Sequence, residues 1–181
     1  SGSKSVLNRI KKRISLDKLV QSIKDAEKNK IVCKSNILFG FPEETHKEVW
    51  QSMRFIKQLA FTNIHDLSIY PFSPYPGSAI FDQLRKNGKI PKTDDEYFYK
   101  LARSTEFGLF PPSYSEHFGD FSLGFYRIFG ITLYYGLSFL SKPLRIIRFI
   151  KNIFSSTQNT LLESVIHEKI VRKYKKFQLH F

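Results

Sequence analysis

Ile31-Val32-Cys33-Lys34-Ser35-Asn36-Ile37-Leu38-Phe39-Gly40-Phe41-Pro42-Glu43-Glu44-Thr45 is the stretch on which the reading of this chain turns. Ile31 to Phe39 is a short, mostly apolar run. Gly40 and Pro42 stop it, so it reads as a strand and its closing turn. Thr45-His46-Lys47-Glu48 then forms a capping box, a threonine with an acid three residues on. The helix it opens carries Val49, Met53, Ile56 and Ala60 at core spacing. Upstream, Ser15 can cap a helix with Leu16, Leu19, Val20 and Ile23 on one face, ending near Asn29 and Lys30. Downstream, Ile64 to Tyr70 reads as a second strand ended by Pro71. A proline-rich loop to Ser78 follows, then a short helix to about Lys86, closed by Asn87-Gly88.

Helix–strand–helix–strand–helix predicts parallel strands joined by right-handed crossovers. Two parallel strands alone make a poor sheet, because parallel sheets are covered on both faces and usually hold more strands. Either partner strands lie elsewhere, or the chain is a piece of something larger. The remainder reads as helical and does not supply them. Thr93-Asp94-Asp95-Glu96, Ser113-Tyr114-Ser115-Glu116 and Thr160-Leu161-Leu162-Glu163 are further candidate capping boxes, predicting helices near 94–107, 115–140 and 160–177. Pro143 starts another, to about Phe154. Pro111-Pro112 separates the α/β half from the helical half, and Ser155 to Asn159 is a second linker.

The 181 residues suffice for one ordinary domain, and 41% apolar content supports a packed core. The formal charge of +13 is concentrated toward the end. From Lys142 to Phe181, Lys142, Arg145, Arg148, Lys151, Lys169, Arg172, Lys173, Lys175 and Lys176 face only Glu163 and Glu168. Such a basic tail, in a chain with 18 Phe and 9 Tyr, points to an anionic partner: a membrane surface, a nucleic acid or an acidic protein. A solvated basic face is the plainer reading. Leu144, Ile147, Ile150 and Phe154 beside Arg145, Arg148 and Lys151 suit an amphipathic helix on an anionic membrane, and suit helix packing equally. The nearest approach to a membrane span, Phe121 to Ser141, is broken by Arg127 and carries Gly124, Gly130 and Gly136. Cys33 is the only cysteine, so no disulfide forms within the chain and a reducing cytoplasm is the expected compartment. A lone thiol cannot hold a zinc or iron–sulfur site, and Cys33 reads as a small buried hydrophobe.

Ligands of parallel α/β folds bind outside the carboxyl ends of the strands. Gly40 there lets backbone approach a ligand, Pro42 stiffens the turn, and Thr45 and Glu48 open a helix with free amides. Tyr70-Pro71 and the proline loop end the second strand in the same manner. Taken alone, glycine and proline after a strand are ordinary turn chemistry. Glu43 and Glu44 read as acids favouring a helix N-terminus, His46 as an exposed first-turn residue, and His65-Asp66 as lying on the far rim. Tyr97, Phe98, Phe107, Phe110, Phe118, Phe121 and Phe125 read mostly as core contacts.

The wording of these segments adds to that. Gly40-Phe41-Pro42-Glu43-Glu44-Thr45 resembles the "GLPGET" turn of radical S-adenosylmethionine (SAM) enzymes, particularly the group whose members often carry an upstream cobalamin-binding domain. Tyr70-Pro71-Phe72-Ser73-Pro74-Tyr75-Pro76-Gly77-Ser78 is similar to that group's "PYPGT" loop. Ser1-Gly2-Ser3-Lys4-Ser5-Val6-Leu7-Asn8-Arg9-Ile10-Lys11-Lys12 resembles its "ESGSxxVLxxIxK" segment. The three come in family order and spacing, and Tyr135 to Pro143 resembles a "YxxxFLxxP" stretch of its helical tail.

The resemblance implies an α/β fold: residues 1–90 as the last βα units of a partial TIM-like (β/α)6 barrel, and 91–181 as an all-helical C-terminal extension. It implies SAM and a 4Fe-4S cluster in the intact protein, cobalamin as a further cofactor, and SAM cleavage to a 5′-deoxyadenosyl radical that starts a methylation, cyclisation or similar reaction. Leu38 falls on the position that packs against adenine and Gly40 on the motif glycine. Asn36 stands where that motif often has glycine. Tyr70 and Pro71 fall where backbone borders adenine, and Ser1 and Ser3 lie toward the ribose. The CxxxCxxC cluster motif is absent, so the expected partner is an N-terminal part of the same polypeptide, and the chain alone is expected to be inactive. A Ser-Gly-Ser start also has the look of a cloning remnant. The alternative reading is a basic module without catalysis, for a membrane periphery or, less favoured, a nucleic acid.

Overall fold

The computed structural model describes residues 1–90, 93–105, 110–155 and 160–168. Helix α1 (Lys4–Arg9) is followed by α2 (Leu16–Lys28), which Ser15 starts by accepting the Lys18 amide. Lys30 adopts a left-handed φ of 58°, and the Ile31 amide returns to the Ala26 carbonyl at 2.9 Å. This Schellman closure turns Ile31 and Val32 out to solvent. Strand β1 therefore runs Lys34–Phe39 and not from Ile31. Cys33, expected within that strand and buried, lies ahead of it and is half-buried against the core.

Helix α3 (His46–Ala60) opens on the expected capping box, with Thr45 and Glu48 each holding the other's backbone amide. Strand β2 (Asp66–Pro71) lies parallel to β1, with Leu38 opposite Tyr70 and Phe39 opposite Pro71. Pro71 does not stop the ladder, since the Phe72 amide still reaches the Phe39 carbonyl at 2.8 Å. A proline at a strand's last position gives up only its own donor. Among the described residues these two strands form the sheet.

Helices α4 (Ala79–Lys86), α5 (Asp95–Thr105), α6 (Asp120–Ser141), α7 (Leu144–Phe154) and α8 (Leu161–Ile166) complete the chain. Ser113-Tyr114-Ser115-Glu116 does not start a helix, contrary to its capping-box pattern. The Ser113 hydroxyl donates to the Phe118 carbonyl, Tyr114 is buried, and the Glu116 amide bonds the Pro42 carbonyl at 2.8 Å. The segment is thus tied to the turn after β1, and α6 begins only at Asp120. The Thr160 box does start α8. The predicted continuation to 177, with Lys169, Arg172, Lys173, Lys175 and Lys176, lies outside the described residues, as do 156–159 of the second linker and Phe107.

Two apolar cores result. One joins Val20 and Ile23 of α2, Ile37 and Phe39 of β1, Leu67 and Ile69 of β2, and the inner faces of α3 and α6. The other gathers Val6, Phe41, Phe72, Phe81, Leu84 and Tyr97 around Leu38. Ile37 and Leu38 enter different cores because successive strand residues point to opposite faces. Helix α6 runs back along β2: Leu123 sits at Gly40, while the Tyr134 hydroxyl donates to the Ile64 carbonyl at 3.0 Å. That orientation leaves Phe121 and Phe125 on its outer side. Of the aromatics read as core, Tyr97 and Phe118 are buried, whereas Phe98, Phe110, Phe121 and Phe125 are exposed.

Candidate functional site

The carboxyl rim of the sheet is built around one glutamate. Gly40 has φ +91°, a left-handed conformation that a side chain at this position would strain. The Cβ of any such side chain would also stand 2.9 Å from Leu123 Cδ1. The amides of Gly40 and Phe41 turn inward and both donate to Glu44 Oε2, at 2.6 and 3.2 Å. Glu44 is fully buried. Burial pushes its carboxyl above the usual range, against the pull of the two amides.

The first residues close over the same helix end. The Gly2 amide donates to Ser52 Oγ at 2.9 Å, and Ser1 Oγ lies 3.4 Å from Glu44 Oε1. A Cβ on Gly2 would fall 2.6 Å from Phe55 Cβ and 2.8 Å from Ser52 Cα. Ser3 is buried, its Oγ 2.8 Å from Ser5 Oγ. Ser1-Gly2-Ser3 is therefore packed against α3.

Beside it, Arg9 forks onto both oxygens of Glu48 at 2.8 Å, and Ser5 adds a bond at 2.6 Å. Arg9's hydrogen bonds, with those of Ser5 and Thr45, pull the Glu48 carboxyl down to about 2 despite its burial. A depressed carboxylate contributes stability that is complete above its unfolded pKa and is lost as pH falls through the folded one. The urea midpoint of the protein is expected to drop between pH 4.5 and about 2, the range set by Glu48. The drop is worth roughly 2 kcal/mol after screening at the half-open Arg9. Glu48→Gln should be less stable at neutral pH and lack that acid limb; an unchanged limb would refute the assignment.

Leu38, Gly40, Tyr70 and Pro71 come together at this rim through the strand register. Ser1 and Ser3 adjoin it by way of Glu44 and α3. Asn36 stands one step back along β1, exposed, opposite Ser68. Ser68 is buried, and its hydroxyl has no hydrogen-bond partner among the described residues. His46 is exposed, as expected, with Nδ1 2.6 Å from the Tyr126 hydroxyl. Glu43 is exposed beside Arg9. Among the described residues no three His, Cys, Asp or Glu side chains converge as a metal cage. The sequence reading missed Glu44's role. The available signal was an acid four residues after the turn glycine, close enough to bind that glycine's own amide.

No family model matches the chain. It is 28% identical over 94 residues to the threonylcarbamoyladenosine tRNA methylthiotransferase MtaB of Bacillus subtilis, covering 49% of this chain and 20% of that protein. It is 31% identical over 96 residues to the enzyme of the same name from Treponema pallidum, covering 51% of this chain and 18% of that protein. Half of the chain is thus similar to a part, about a fifth in length, of two tRNA methylthiotransferases.

Proposed function

We propose that this chain is the C-terminal part of a radical SAM enzyme and forms the adenine-side wall of its SAM site. The observation that carries the reading is the meeting, on one sheet rim, of three segments far apart in sequence: Ser1 to Ser3, Gly40 to Glu44, and Tyr70-Pro71. The likeness to two tRNA methylthiotransferases supports it. On this reading β1 and β2 are the last strands of a partial (β/α)6 barrel and 91–181 its helical extension. The donor set fits a nucleoside better than a metal. Leu38 offers a half-buried apolar side chain, Tyr70-Pro71 a stiff backbone edge, and Ser68 a buried hydroxyl free to bond.

A cluster held by upstream cysteines, with SAM bound, would supply the radical that begins the modification. This chain's own residues bind and orient. Leu38 packs on the adenine face, and Glu44 fixes the Gly40 turn that shapes the rim beside it. Ser1 borders the ribose side, and the buried Ser3 holds it there through the amide that donates to Ser1 Oγ at 3.1 Å. Methylation and cyclisation are the reactions the cobalamin-associated group implies. Methylthiolation of a tRNA nucleoside is what the two relatives are named for.

The coding sequence upstream of Ser1 is expected to hold a CxxxCxxC motif; a reading frame without one would sink the proposal. In the extended protein loaded with iron and sulfide, Leu38→Asp should weaken SAM binding at least about tenfold, the discrimination of roughly 1.4 kcal/mol that one misplaced polar group imposes. Equilibrium dialysis reads the binding and cluster absorbance should stay unchanged. Equal SAM affinity in the variant would remove Leu38 from the site.

A further inference from the structure

Helix α7 buries none of its residues completely. It is held from one side: Arg145 reaches Asn63 and the Ile64 carbonyl, Phe149 packs 5.3 Å from Phe139 between ring centres, and Asn152 bonds Glu163. The opposite stripe, Leu144, Ile147, Ile150 and Phe154, faces outward, with Leu144 78% and Phe154 72% exposed. Leu140, at the end of α6, is 83% exposed. Across a groove of about 580 Å³ stand Ile31 and Val32, turned outward by the closure of α2. Leu144 of α7 and the Ile31-Val32 edge thus present aliphatic side chains to the same opening, and the rest of the stripe continues outward from Leu144.

The charges around that opening are mostly positive. Lys30, Lys142, Arg145 and Arg148 line the groove, and Lys151 lies on the exposed side of α7. Among the described residues none of them has a carboxylate within ion-pair distance. Lys142 and Arg145 bond only neutral oxygens, those of Ser138, Thr62, Asn63 and Ile64. Glu27, the one acid on the wall, is engaged by Asn63.

We infer that this surface, α7 with the Ile31-Val32 edge, docks on an anionic phospholipid membrane. Aliphatic side chains flanked by lysine and arginine match the two layers of such a surface, hydrocarbon and phosphate. Single-stranded nucleic acid is held by aromatic stacking, and the exposed stripe is aliphatic over all but Phe154. The contact made by this surface would be peripheral, since α7 lies along the opening with one face held to the protein; among the described residues no helix is long and apolar enough to cross a membrane. It also leaves chemistry unobstructed. The groove is lined by Asn63 and His65, at the amino end of β2, while the Gly40 rim lies at the carboxyl end. The inference does not depend on the function proposed above.

Cosedimentation of the intact protein with lipid vesicles tests it. Binding is expected to vesicles of mixed phosphatidylcholine and phosphatidylserine, weaker by more than about tenfold to phosphatidylcholine alone, and falling steeply with salt, since each basic side chain near such a surface contributes roughly fivefold. Leu144→Glu with Ile147→Glu should abolish binding, and Arg148→Glu with Lys151→Glu should reduce it about tenfold or more. These side chains are exposed, so thermal unfolding should not change. A milder pair, Leu144→Ser with Ile147→Ser, should weaken binding in proportion if the glutamates perturb folding. Absence of binding at low salt, equal binding to both vesicle types, indifference to the α7 substitutions, or capture of tRNA in place of vesicles would each overturn the inference.

Discussion

Glu44→Ala is expected to lower the stability of the protein by about 3 kcal/mol, whereas Glu44→Gln should cost under about 1 kcal/mol. The alanine variant leaves the amides of Gly40 and Phe41 buried with no acceptor, because both donate to the same carboxyl oxygen. Glutamine keeps an oxygen for them. It also removes a charge that the site does not favour, since burial raises the Glu44 carboxyl above its usual range. A raised carboxyl contributes stability at pH below its unfolded value and loses it as pH rises through the folded one, the reverse of Glu48 one turn on. The glutamine variant should therefore gain on the wild type as pH rises from 4.5 toward neutrality. Chemical denaturation at pH 4 and pH 7 reads both effects. If alanine and glutamine were equally damaging, the carboxylate charge and not the amide bonds would hold the turn. On the proposed function, SAM affinity in the extended protein should follow the same order, because the Gly40 rim moves with the turn.

What could be read from the sequence was whatever is decided within one turn of chain. Thr45 and Glu48 specify a helix start by themselves, and so do Thr160 and Glu163. The strand at Ile37 to Phe39 showed through because Gly40 and Pro42 end it locally. Errors came where distant contacts decide. Ile31 and Val32 have strand-like side chains, yet the left-handed Lys30 closes α2 onto Ala26 and turns them outward. Ser113 to Glu116 has a helix-start pattern, but Pro42 and Phe118 take its hydrogen-bonding groups first. Helix α1 is a single short segment with only Val6 and Leu7 inward, too brief for a periodicity to register. The rim followed the same division. Gly40 and Pro71 were visible as turn residues, while the carboxylate that fixes the turn and the packing of Gly2 on Phe55 depend on α3 being in place.

Asp66→Ala is expected to destabilise the protein by about 3 kcal/mol and Asp66→Asn by under about 1 kcal/mol; on the proposed function, the asparagine variant of the longer protein should also retain turnover. Asp66 is an inviting acid, buried and next to His65. Its neighbours give it a structural task. The Tyr135 hydroxyl donates to Oδ1 at 2.7 Å, and Lys34 Nζ lies 2.8 Å from Oδ2. Burial and the Asp66 carboxylate push the Tyr135 phenol well above its usual value, which favours its protonated, donating form. Alanine would strand that hydroxyl in the core, where an unmet donor costs about 1–3 kcal/mol, and would free the first rungs of the Lys34–Asp66 ladder. Asparagine keeps the acceptor for Tyr135 and weakens the pair with Lys34, a half-exposed lysine whose contribution is small. Position argues the same way: Asp66 lies four residues before Tyr70 on β2, roughly 13 Å from the rim at 3.3 Å per residue. Thermal melts and turnover of the two variants separate the roles. A stable, inactive Asp66→Asn would make this carboxylate a participant in the chemistry and would move the working end of the sheet to the opposite rim.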